Sequence, residues 1–411
     1  MRVAVVGAGI GGLTAAVCLA AAGIGDIAVY ERSDGLHEIG AGIQLSPNGT
    51  RILHRLGLGD ALGAVAVRPA TGDMRRWQDW SLLSTSPLGD VVVAEYGFPY
   101  YHVHRADLHR VLAAGVTPGC LQLGRRLVGF EAAGSGVVLR FADGSSAGAD
   151  VVVGADGIHS VVRRELFGAE SPRFSGNSAW RGMVSAARVA DLRLPVASTV
   201  VMGPGRHFVY YFVSAGRFVN WVGVAPSETW TLESWTTPGR LEDALGDFTG
   251  WNTVVRRLIA EAADGSDRAE LYRWALYDRD PLPRWGDGPV TLLGDAAHPM
   301  LPFMAQGACQ AIEDAAVLAG CLRRLPHPVR ALRHYEHLRR ERTARIQLAA
   351  RNNETVFHLP DGDDQRDRDR ALAATSGEST VHRNSWVFGY DVDHVMATEP
   401  APHDPAGATE G

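Results

Sequence analysis

Residues 2–12 read RVAVVGAGIGG, and this stretch decides the fold of the chain. The Val-rich run Arg2–Val6 predicts a short strand, Leu13–Ala22 an Ala- and Leu-rich helix, and Ile27–Tyr30 a second strand. The turn between the first strand and the helix is a G-x-G-x-x-G sequence, which is typical of a strand–helix–strand unit that binds a dinucleotide. A glycine-rich turn without function is the alternative, and the flanking strand and helix count against it.

The glycines and the acidic residue after the second strand have separate predicted roles. Gly7 permits the tight turn, Gly9 lets the backbone approach a pyrophosphate, and Gly12 lets the helix pack closely on the strand. Glu31 follows Gly12 by nineteen residues and ends the second strand, where a carboxylate accepts hydrogen bonds from an adenosine ribose. These residues indicate a dinucleotide site and leave open whether the dinucleotide is FAD or NAD.

The composition limits the class of protein. The chain has 411 residues, of which 46% are hydrophobic and 21% charged, and this is typical of a globular protein rather than a disordered one. The 40 basic residues, all of them Arg, stand against 46 acidic ones, so the net charge of −6 argues against a nucleic-acid partner. The four cysteines form no CxxC pair or zinc spacing, and the sequence predicts no membrane span and no metal site. We therefore expect a cytoplasmic protein.

The order of the predicted elements gives the fold class. A strand–helix–strand unit opens the chain, hairpin-rich segments follow, and a buried strand and a helix return after residue 290. This order predicts an α/β protein, in which a Rossmann-like, glutathione reductase-type domain is assembled from separate segments around an inserted β-rich substrate domain. The predicted division is residues 1–70, 100–174 and 275–330 for the dinucleotide-binding domain, 71–99 and 175–274 for the substrate domain, 331–395 for a C-terminal helical segment, and 396–411 for a flexible tail.

Three local predictions accompany this division. Residues 63–100 are expected to alternate short strands with Gly and Pro turns. Leu241–Ala262 is expected to be helical. The charge run Asp361–Arg370 is expected to be a solvated loop or a helix end.

Two further motifs place an aspartate directly after a predicted strand. Asp156 stands in GADGIHS (154–160) and Asp295 in LLGDAAHP (292–299), and each carboxylate can bond the hydroxyls of a ribityl chain. The turn Gln306–Ala308 then opens a helix, whose N-terminal N–H groups stabilise the negative charge that a reduced flavin carries. Three such motifs in one chain favour a flavin site over three unrelated turns.

In this order and spacing, the motifs resemble the single-component FAD-dependent aromatic hydroxylases, also called 4-hydroxybenzoate hydroxylase-like or class A flavoprotein monooxygenases. The resemblance covers roughly residues 1–395 and is closest to the salicylate, 3-hydroxybenzoate and 6-hydroxynicotinate hydroxylase branch. The phrases that carry it are AHPMLPFMAQGACQAIEDA (297–315), HFVYYFV (207–213), ESWTTPG (233–239) and WVFGYDV (386–392).

The resemblance implies a function and a set of partners. It implies bound FAD, transient NADH or NADPH, O2, and a small aromatic or heteroaromatic substrate that receives one oxygen atom through a flavin C4a-hydroperoxide. The chain has no second G-x-G-x-x-G to anchor a nicotinamide, which fits a cosubstrate that binds transiently. A monomer or a homodimer is expected.

The resemblance also implies which residues hold FAD. Glu31 and Arg32 are expected at the adenosine end, and Asp156 belongs to a motif that in the family serves both FAD and the nicotinamide. The expected cofactor-binding residues are Gly7, Gly9, Gly12, Glu31, Arg32, Gln44, Arg105, Leu127, Asp156, Asp295, Gly307, Ala308 and Cys309.

A predicted hairpin around residues 214–217 supplies the expected catalytic residues. A register that pairs Val213 with Phe218 also pairs Tyr211 with Asn220 and places His207 on the same, otherwise apolar face. Removal of a phenol proton requires a base near the ring. The expected catalytic residues are therefore His207 and Tyr211, and the expected substrate contacts are Asn220, Arg181 and Pro302. If His207 is the base, we expect a limb of the pH–rate profile around pH 6–7.

Alternatives remain open on the sequence alone. Tyr211 and Asn220 could bond each other for structural reasons only. By the resemblance, 6-hydroxynicotinate hydroxylases carry a further His where this chain has Gln44, so the substrate ring is not fixed. A flavoenzyme of the same fold that acts on a polyketide or isoprenoid, and a flavin- or ligand-holding protein without turnover, are the other functional alternatives.

Overall fold

The computed structural model describes residues 1–36, 41–134, 136–227, 238–262, 271–377 and 379–399. Its strands are β1 (Arg2–Val6), β2 (Asp26–Tyr30), β3 (Gly42–Leu45), β4 (Thr71–Arg76), β5 (Leu82–Pro87), β6 (Tyr101–His104), β7 (Leu121–Gln122), β8 (Leu127–Ala133), β9 (Gly136–Phe141), β10 (Ser146–Ala149), β11 (Val151–Gly154), β12 (Arg173–Ser185), β13 (Ala197–Gly203), β14 (Arg206–Val213), β15 (Phe218–Pro226), β16 (Tyr272–Asp278), β17 (Gly286–Asp287) and β18 (Val290–Leu292). Its α-helices are α1 (Ile10–Ala21), α2 (Pro47–Arg55), α3 (Gly59–Val65), α4 (Gly89–Tyr96), α5 (Arg105–Gly115), α6 (Val161–Phe167), α7 (Leu241–Asp247), α8 (Thr253–Glu261), α9 (Gly307–Arg324), α10 (Pro328–Phe357), α11 (Asp363–Ala374), α12 (Ser379–Arg383), α13 (Ser385–Phe388) and α14 (Val392–Thr398).

A largely parallel sheet of order β17-β18-β11-β1-β2-β7 contains the N-terminal glycine-rich unit. Five of its strands run parallel, and β17 lies antiparallel at one edge. Val3, Val5 and Val151–Val153 are completely buried, as expected for parallel strands that are covered on both faces. Helix α1 packs against both α9 and α5. The α/β fold class predicted from the sequence is confirmed.

A second sheet of order β16-β12-β15-β14-β13-β4-β5 is antiparallel except for the β13–β4 pair. It joins residues 71–87 to residues 173–226 and 272–278. The predicted hairpin register is confirmed, since Val213 pairs with Phe218 and Tyr211 with Asn220. The predicted domain boundary between residues 274 and 275 falls inside β16.

Two local predictions were wrong. Residues 63–100 contain helix α4 after the strands β4 and β5. The charge run forms most of α11, where Asp363 and Asp364 occupy the first turn and favour the helix through its dipole. The segment Leu241–Ala262 is helical as predicted, in two helices, because the Asn252 side chain accepts the Val254 N–H and starts α8 anew.

The C-terminal segment is ordered further than predicted. Helix α14 extends to Thr398, and Met396 is buried against Gly320 of α9, so residues 396–398 do not belong to a tail. Residues 400–411 of the predicted tail and residues 233–237 of the ESWTTPG phrase lie outside the described residues. In the part of the chain that the structure describes, no helix combines the length and apolarity needed to cross a membrane.

Candidate active site

A cavity of about 410 Å³ lies where the loops after β1, β11 and β18 meet one face of the second sheet. These loops leave the carboxyl ends of adjacent parallel strands, which is where open α/β sheets bind ligands. Strand β3 and residues of β14, β15 and β16 complete the wall. The volume lies within the roughly 300–1,000 Å³ range of small-molecule sites.

The loop after β1 is shaped for close contact with a ligand. Gly7 has φ +100°, and a Cβ on Gly12 would lie 1.9 Å from the Gly7 carbonyl oxygen, so the helix packs directly on the turn. Gly9 lines the cavity, and apart from its own neighbours along the chain no atom of the described residues lies within 4 Å of the position that its Cβ would take. Open backbone at the start of α1 is what a pyrophosphate requires, so this loop fits the predicted dinucleotide.

Glu31 holds the glycine-rich loop in place. Its Oε2 accepts the Ala8 N–H at 2.9 Å, and its Oε1 accepts the Ser33 N–H at 2.9 Å. Arg32 is exposed, whereas Leu127 is buried in β8, and neither lines the cavity. Contacts of these three residues with the adenosine end stay a prediction.

Asp295 faces the cavity beside the N-terminus of α9. Its side chain is exposed to the cavity but surrounded by protein, and this desolvation raises the pKa of its carboxyl. Gly307 and Ala308 line the same wall, and Arg105 lines it from α5. A carboxylate acceptor next to helix N–H groups fits the ribityl hydroxyls and the flavin edge.

A buried ion-pair network, which the sequence analysis missed, supports the Asp295 turn. Asp314 Oδ2 accepts the Gly294 N–H at 3.0 Å and lies 2.6 Å from His298 Nε2, while Arg339 Nε donates to Asp314 Oδ1 at 2.8 Å. Burial raises the pKa of Asp314, but His298 and Arg339 lower it more strongly, so the net shift is downward. In the sequence, the acidic pair Glu313-Asp314 within an apolar helix is the feature that could have indicated this network.

Two predicted cofactor residues do not present their side chains to the cavity. The Asp156 carboxylate accepts the Ser160 hydroxyl at 2.5 Å and the Val161 N–H at 2.7 Å, so it stabilises the start of α6, while its neighbour Gly157 lines the cavity. Cys309 is fully buried, and burial raises the pKa of its thiol to about 11. Only the backbone of Cys309 is left for a cofactor contact.

One face of the β14–β15 hairpin forms the substrate side of the cavity. His207, Val209 and Tyr211 line it from β14, as the predicted face requires. The Tyr211 ring lies directly on Gly42 of β3, where a Cβ would come within 2.4 Å of the ring. Asn220 Oδ1 accepts the Gly42 N–H at 2.7 Å.

Asn220 therefore has neither of its two predicted roles, a bond to Tyr211 or a contact with the substrate. Among the described residues it bonds Gly42 rather than Tyr211, and it is absent from the cavity wall. It connects the second sheet to β3 and so fixes the position of Tyr211. Of the other predicted substrate contacts, Pro302 and Arg181 line the cavity.

Arg181 and Gln44 are two of the polar groups on the remaining walls. The Arg181 guanidinium carbon lies 3.8 Å from the centre of the Trp274 ring, a cation–π contact that holds the charge at the cavity. Gln44 Oε1 accepts the Tyr100 hydroxyl at 2.6 Å and the Ser198 hydroxyl at 3.2 Å. The orientation of the Gln44 amide at this wall is therefore fixed. By the resemblance, 6-hydroxynicotinate hydroxylases carry a histidine at this position.

His207 occupies an apolar pocket at the other end of the wall. Its ring is 2% exposed and contacts Phe303 and Phe357, with ring centres 5.0 and 5.3 Å away. Its Nδ1 lies 2.7 Å from Nε2 of His358, which the sequence analysis did not single out. Burial, with a smaller effect of His358, lowers the pKa of His207 well below 6.5. The pH limb expected around pH 6–7 stays a prediction, and the lowered pKa of His207 moves its expected position to lower pH.

A parallel nucleotide-binding sheet, a cavity at its carboxyl edge and a second sheet that closes this cavity define a flavoprotein enzyme. The chain belongs to the FAD binding domain family, whose model matches residues 1–350. It is 44% identical over 405 residues, or 98% of each chain, to 3-amino-4-hydroxybenzoate 2-monooxygenase of Streptomyces cremeus. It is 37% identical over 404 residues, or 97% of each chain, to 6-hydroxynicotinate 3-monooxygenase of Pseudomonas fluorescens.

The fold agrees with a solved structure that contains the cofactor. Klebsiella pneumoniae HpxO, complexed with FAD and uric acid, is 30% identical and superposes with a TM-score of 0.82 over 96% of this chain and 97% of that one. The chain is thus an FAD-dependent aromatic monooxygenase, and the family predicted from the three motifs is confirmed. NAD(P)H is the reductant typical of this family.

Replacing Asp295 with Ala should remove most of the bound FAD. The variant loses a carboxylate that faces the predicted ribityl position, and the buried network around Asp314 keeps all its groups. The FAD content per chain, measured from the absorbance of the purified protein, tests this. Asp287→Ala, at an exposed acidic residue of β17, is the matched control and should keep the parent's content. Full FAD retention in Asp295→Ala would contradict the placement of the third motif.

Proposed function

We propose that this monooxygenase hydroxylates a small phenol that carries a carboxylate, with 3-amino-4-hydroxybenzoate as the first candidate. The observation that carries the proposal is the arrangement of His207, Tyr211 and Arg181 around one cavity. A buried neutral imidazole suits a ring hydroxyl, and a guanidinium suits a carboxylate. Two relatives, at 44% and 37% identity, are named for substrates that carry both groups.

The ring hydroxyl lies at His207 in this proposal. The pKa of His207 is lowered by burial, so its imidazole is neutral at pH 7 and can accept the hydroxyl proton. His207 Nδ1 is engaged by His358, which leaves Nε2 for the substrate. Loss of this proton raises the electron density of the ring and prepares it for an electrophilic oxygen.

Tyr211 and Arg181 orient the ring. Burial raises the pKa of Tyr211 and nearby Arg181 lowers it less, so its hydroxyl remains protonated and can donate a hydrogen bond. The apolar side chains of Val209, Val222 and Phe303 cover the same cavity and exclude water. When bound, FAD accepts hydride from the nicotinamide and activates O2.

Gln44 separates the candidate rings. Its Oε1 is occupied by the Tyr100 and Ser198 hydroxyls, so its Nε2 can donate to a substrate oxygen, but the amide cannot act as a base. A chain without the histidine that the resemblance places here in 6-hydroxynicotinate hydroxylases favours 3-amino-4-hydroxybenzoate over 6-hydroxynicotinate. We further propose that the enzyme works in the cytoplasm as a monomer or homodimer.

Stimulated NAD(P)H oxidation with product analysis tests this function. 3-Amino-4-hydroxybenzoate should stimulate oxidation and gain one oxygen atom by mass spectrometry, and 2-aminophenol, which lacks the carboxylate, should show a raised KM. In Arg181→Gln the two compounds should differ much less in KM. Stimulation by neither compound, or a KM for 2-aminophenol no higher than that for 3-amino-4-hydroxybenzoate, would contradict the proposed substrate.

Tyr211→Ala should uncouple the enzyme. The shortened side chain leaves a hole above Gly42 and removes the hydroxyl that orients the ring, so water enters the cavity. NAD(P)H consumption should continue while more of it yields hydrogen peroxide. Peroxide formed per NAD(P)H oxidised is the measurement, and Tyr210→Phe, on the opposite face of β14, is the control. A ratio equal to the parent's would mean that Tyr211 does not orient the substrate.

A further inference from the structure

His358 and His207 form a pair that joins the cavity to the end of the long helix. His358 directly follows α10 and is half-buried, whereas His207 is 2% exposed. The nitrogens His207 Nδ1 and His358 Nε2 are 2.7 Å apart, and the ring centres are 5.0 Å apart. The His358 carbonyl also accepts the Gly205 N–H at 2.9 Å, which ties the helix end to the β13–β14 turn.

The surroundings keep both rings neutral. Burial lowers the pKa of His207, with a further lowering by His358, and burial together with Arg206 lowers the pKa of His358 to about 4. The other elements packed against the pair contribute the uncharged rings of Phe303 and Phe357, and among the described residues no carboxylate acts on either imidazole. In a neutral pair one nitrogen donates and the other accepts, so the hydrogen bond is directional.

We propose that His207 and His358 are a two-residue proton relay that carries the ring-hydroxyl proton of the substrate out of the cavity. The proposal rests on the proposed function, which places the phenol at His207. The O–H bond of the phenol breaks and a bond from this proton to His207 Nε2 forms. In the same step the Nδ1–H bond of His207 breaks and its proton moves to His358 Nε2.

The relay is completed at His358, the half-buried member of the pair. His358 is then an imidazolium, and it returns to neutrality when its Nδ1 releases a proton to solvent. The substrate is left as a phenolate and one proton appears in solution, so atoms and charge balance without a redox change. The positive charge of Arg206 disfavours a second cation beside it and therefore drives the release.

A purely structural role at the end of α10 would not require the imidazole of His358. Its backbone alone makes the bond to Gly205, and any residue can do this. The imidazole adds two nitrogens on opposite sides of one ring, which lets it accept a proton on one and release a proton from the other. His358 is thus assigned as a positioning and relay residue that acts through His207.

His358→Gln tests the relay, because an amide can bond His207 but cannot pass a proton on. The readout is the ionisation of bound 3-amino-4-hydroxybenzoate, followed by ultraviolet absorbance after a pH jump with no NAD(P)H present. We expect ionisation to slow by about 10²-fold, at the low end of general acid–base effects, and added imidazole to restore part of it. His337→Gln, at an exposed histidine on the same helix, should equal the parent.

The outcomes of this test distinguish a failure of the relay from a failure of the proposed function. A parent-like ionisation rate in His358→Gln, with slow ionisation in His207→Gln, overturns the relay and leaves the proposed function standing. A parent protein that neither ionises nor hydroxylates the probe overturns both.

A measurement on the parent enzyme keeps the test valid if His358→Gln does not fold. Ionisation rates in mixtures of H2O and D2O should follow a curved dependence on the deuterium fraction, because two protons move together. A linear dependence, which one moving proton gives, overturns the relay.

Discussion

His207→Gln should slow ring hydroxylation by about 10²–10⁴-fold while FAD stays bound, which is the usual effect of removing a general base. Glutamine keeps a hydrogen-bonding group of similar length in the pocket formed by Phe303 and Phe357. It cannot accept the phenol proton, so the loss should appear in kcat more than in KM. Rapid mixing of the reduced enzyme with O2 and 3-amino-4-hydroxybenzoate measures the hydroxylation step, and His337→Gln is the control.

The pH dependence of this step gives an independent test. Burial lowers the pKa of His207 well below 6.5, so the neutral base persists as the pH falls below that value. In the parent, the rate should therefore decline only as the pH falls through the lowered pKa, and in His207→Gln this decline should be absent. An unchanged rate and profile in the variant would assign the base to another group, and a loss of FAD would show a structural role.

The parts of the protein that sequence could predict depend on local pattern. The strand Arg2–Val6 was predicted with its observed bounds, and the face of β14 that carries His207 and Tyr211 followed from two-residue alternation and the turn between the hairpin strands. Positions in these elements are fixed by neighbours in sequence. The same pattern could not say what lies across from that face.

The missed residues all act across long sequence separations. Asn220 was predicted on the correct strand face, but its partner Gly42 is 178 residues away, and His358 is 151 residues from His207. Such pairs form only after the second sheet docks on β3 and the end of α10 docks on β14. The low pKa of His207 has the same origin, because the rings that desolvate it come from two separate segments, the turn at Phe303 and the end of α10 at Phe357 and His358.

Arg339→Leu should destabilise the protein by about 3–5 kcal/mol, the usual cost of removing one partner from a buried ion pair. Arg339 is fully buried and donates to Glu313 at 2.6 Å and to Asp314 at 2.8 Å, so the variant leaves Glu313 with Arg342 and Asp314 with His298 as their remaining partners in the core. Urea unfolding at pH 7 measures the free energy. Arg340→Leu is the matched control, since its pair with Glu336 is half-exposed and such a pair contributes about 1 kcal/mol or less.

The loss of unfolding free energy in Arg339→Leu should depend on pH, and the pKa shifts determine the direction of this dependence. The net pKa shifts of Glu313 and Asp314 in the folded parent are downward, so the ion pairs stabilise the parent above the unfolded carboxyl values of about 4 and lose this contribution as the pH falls through the lower folded values. In the variant these carboxyls take up protons at higher pH than in the parent, because one of the cations that lower their pKa is gone. The difference in unfolding free energy between parent and variant should therefore be largest near pH 7 and shrink on acidification.

The affinity for FAD should fall in Arg339→Leu as well, because Asp314 holds the Gly294 N–H beside Asp295. A loss no greater than that of Arg340→Leu, or one that grows on acidification, would mean that this network does not hold the flavin turn in place.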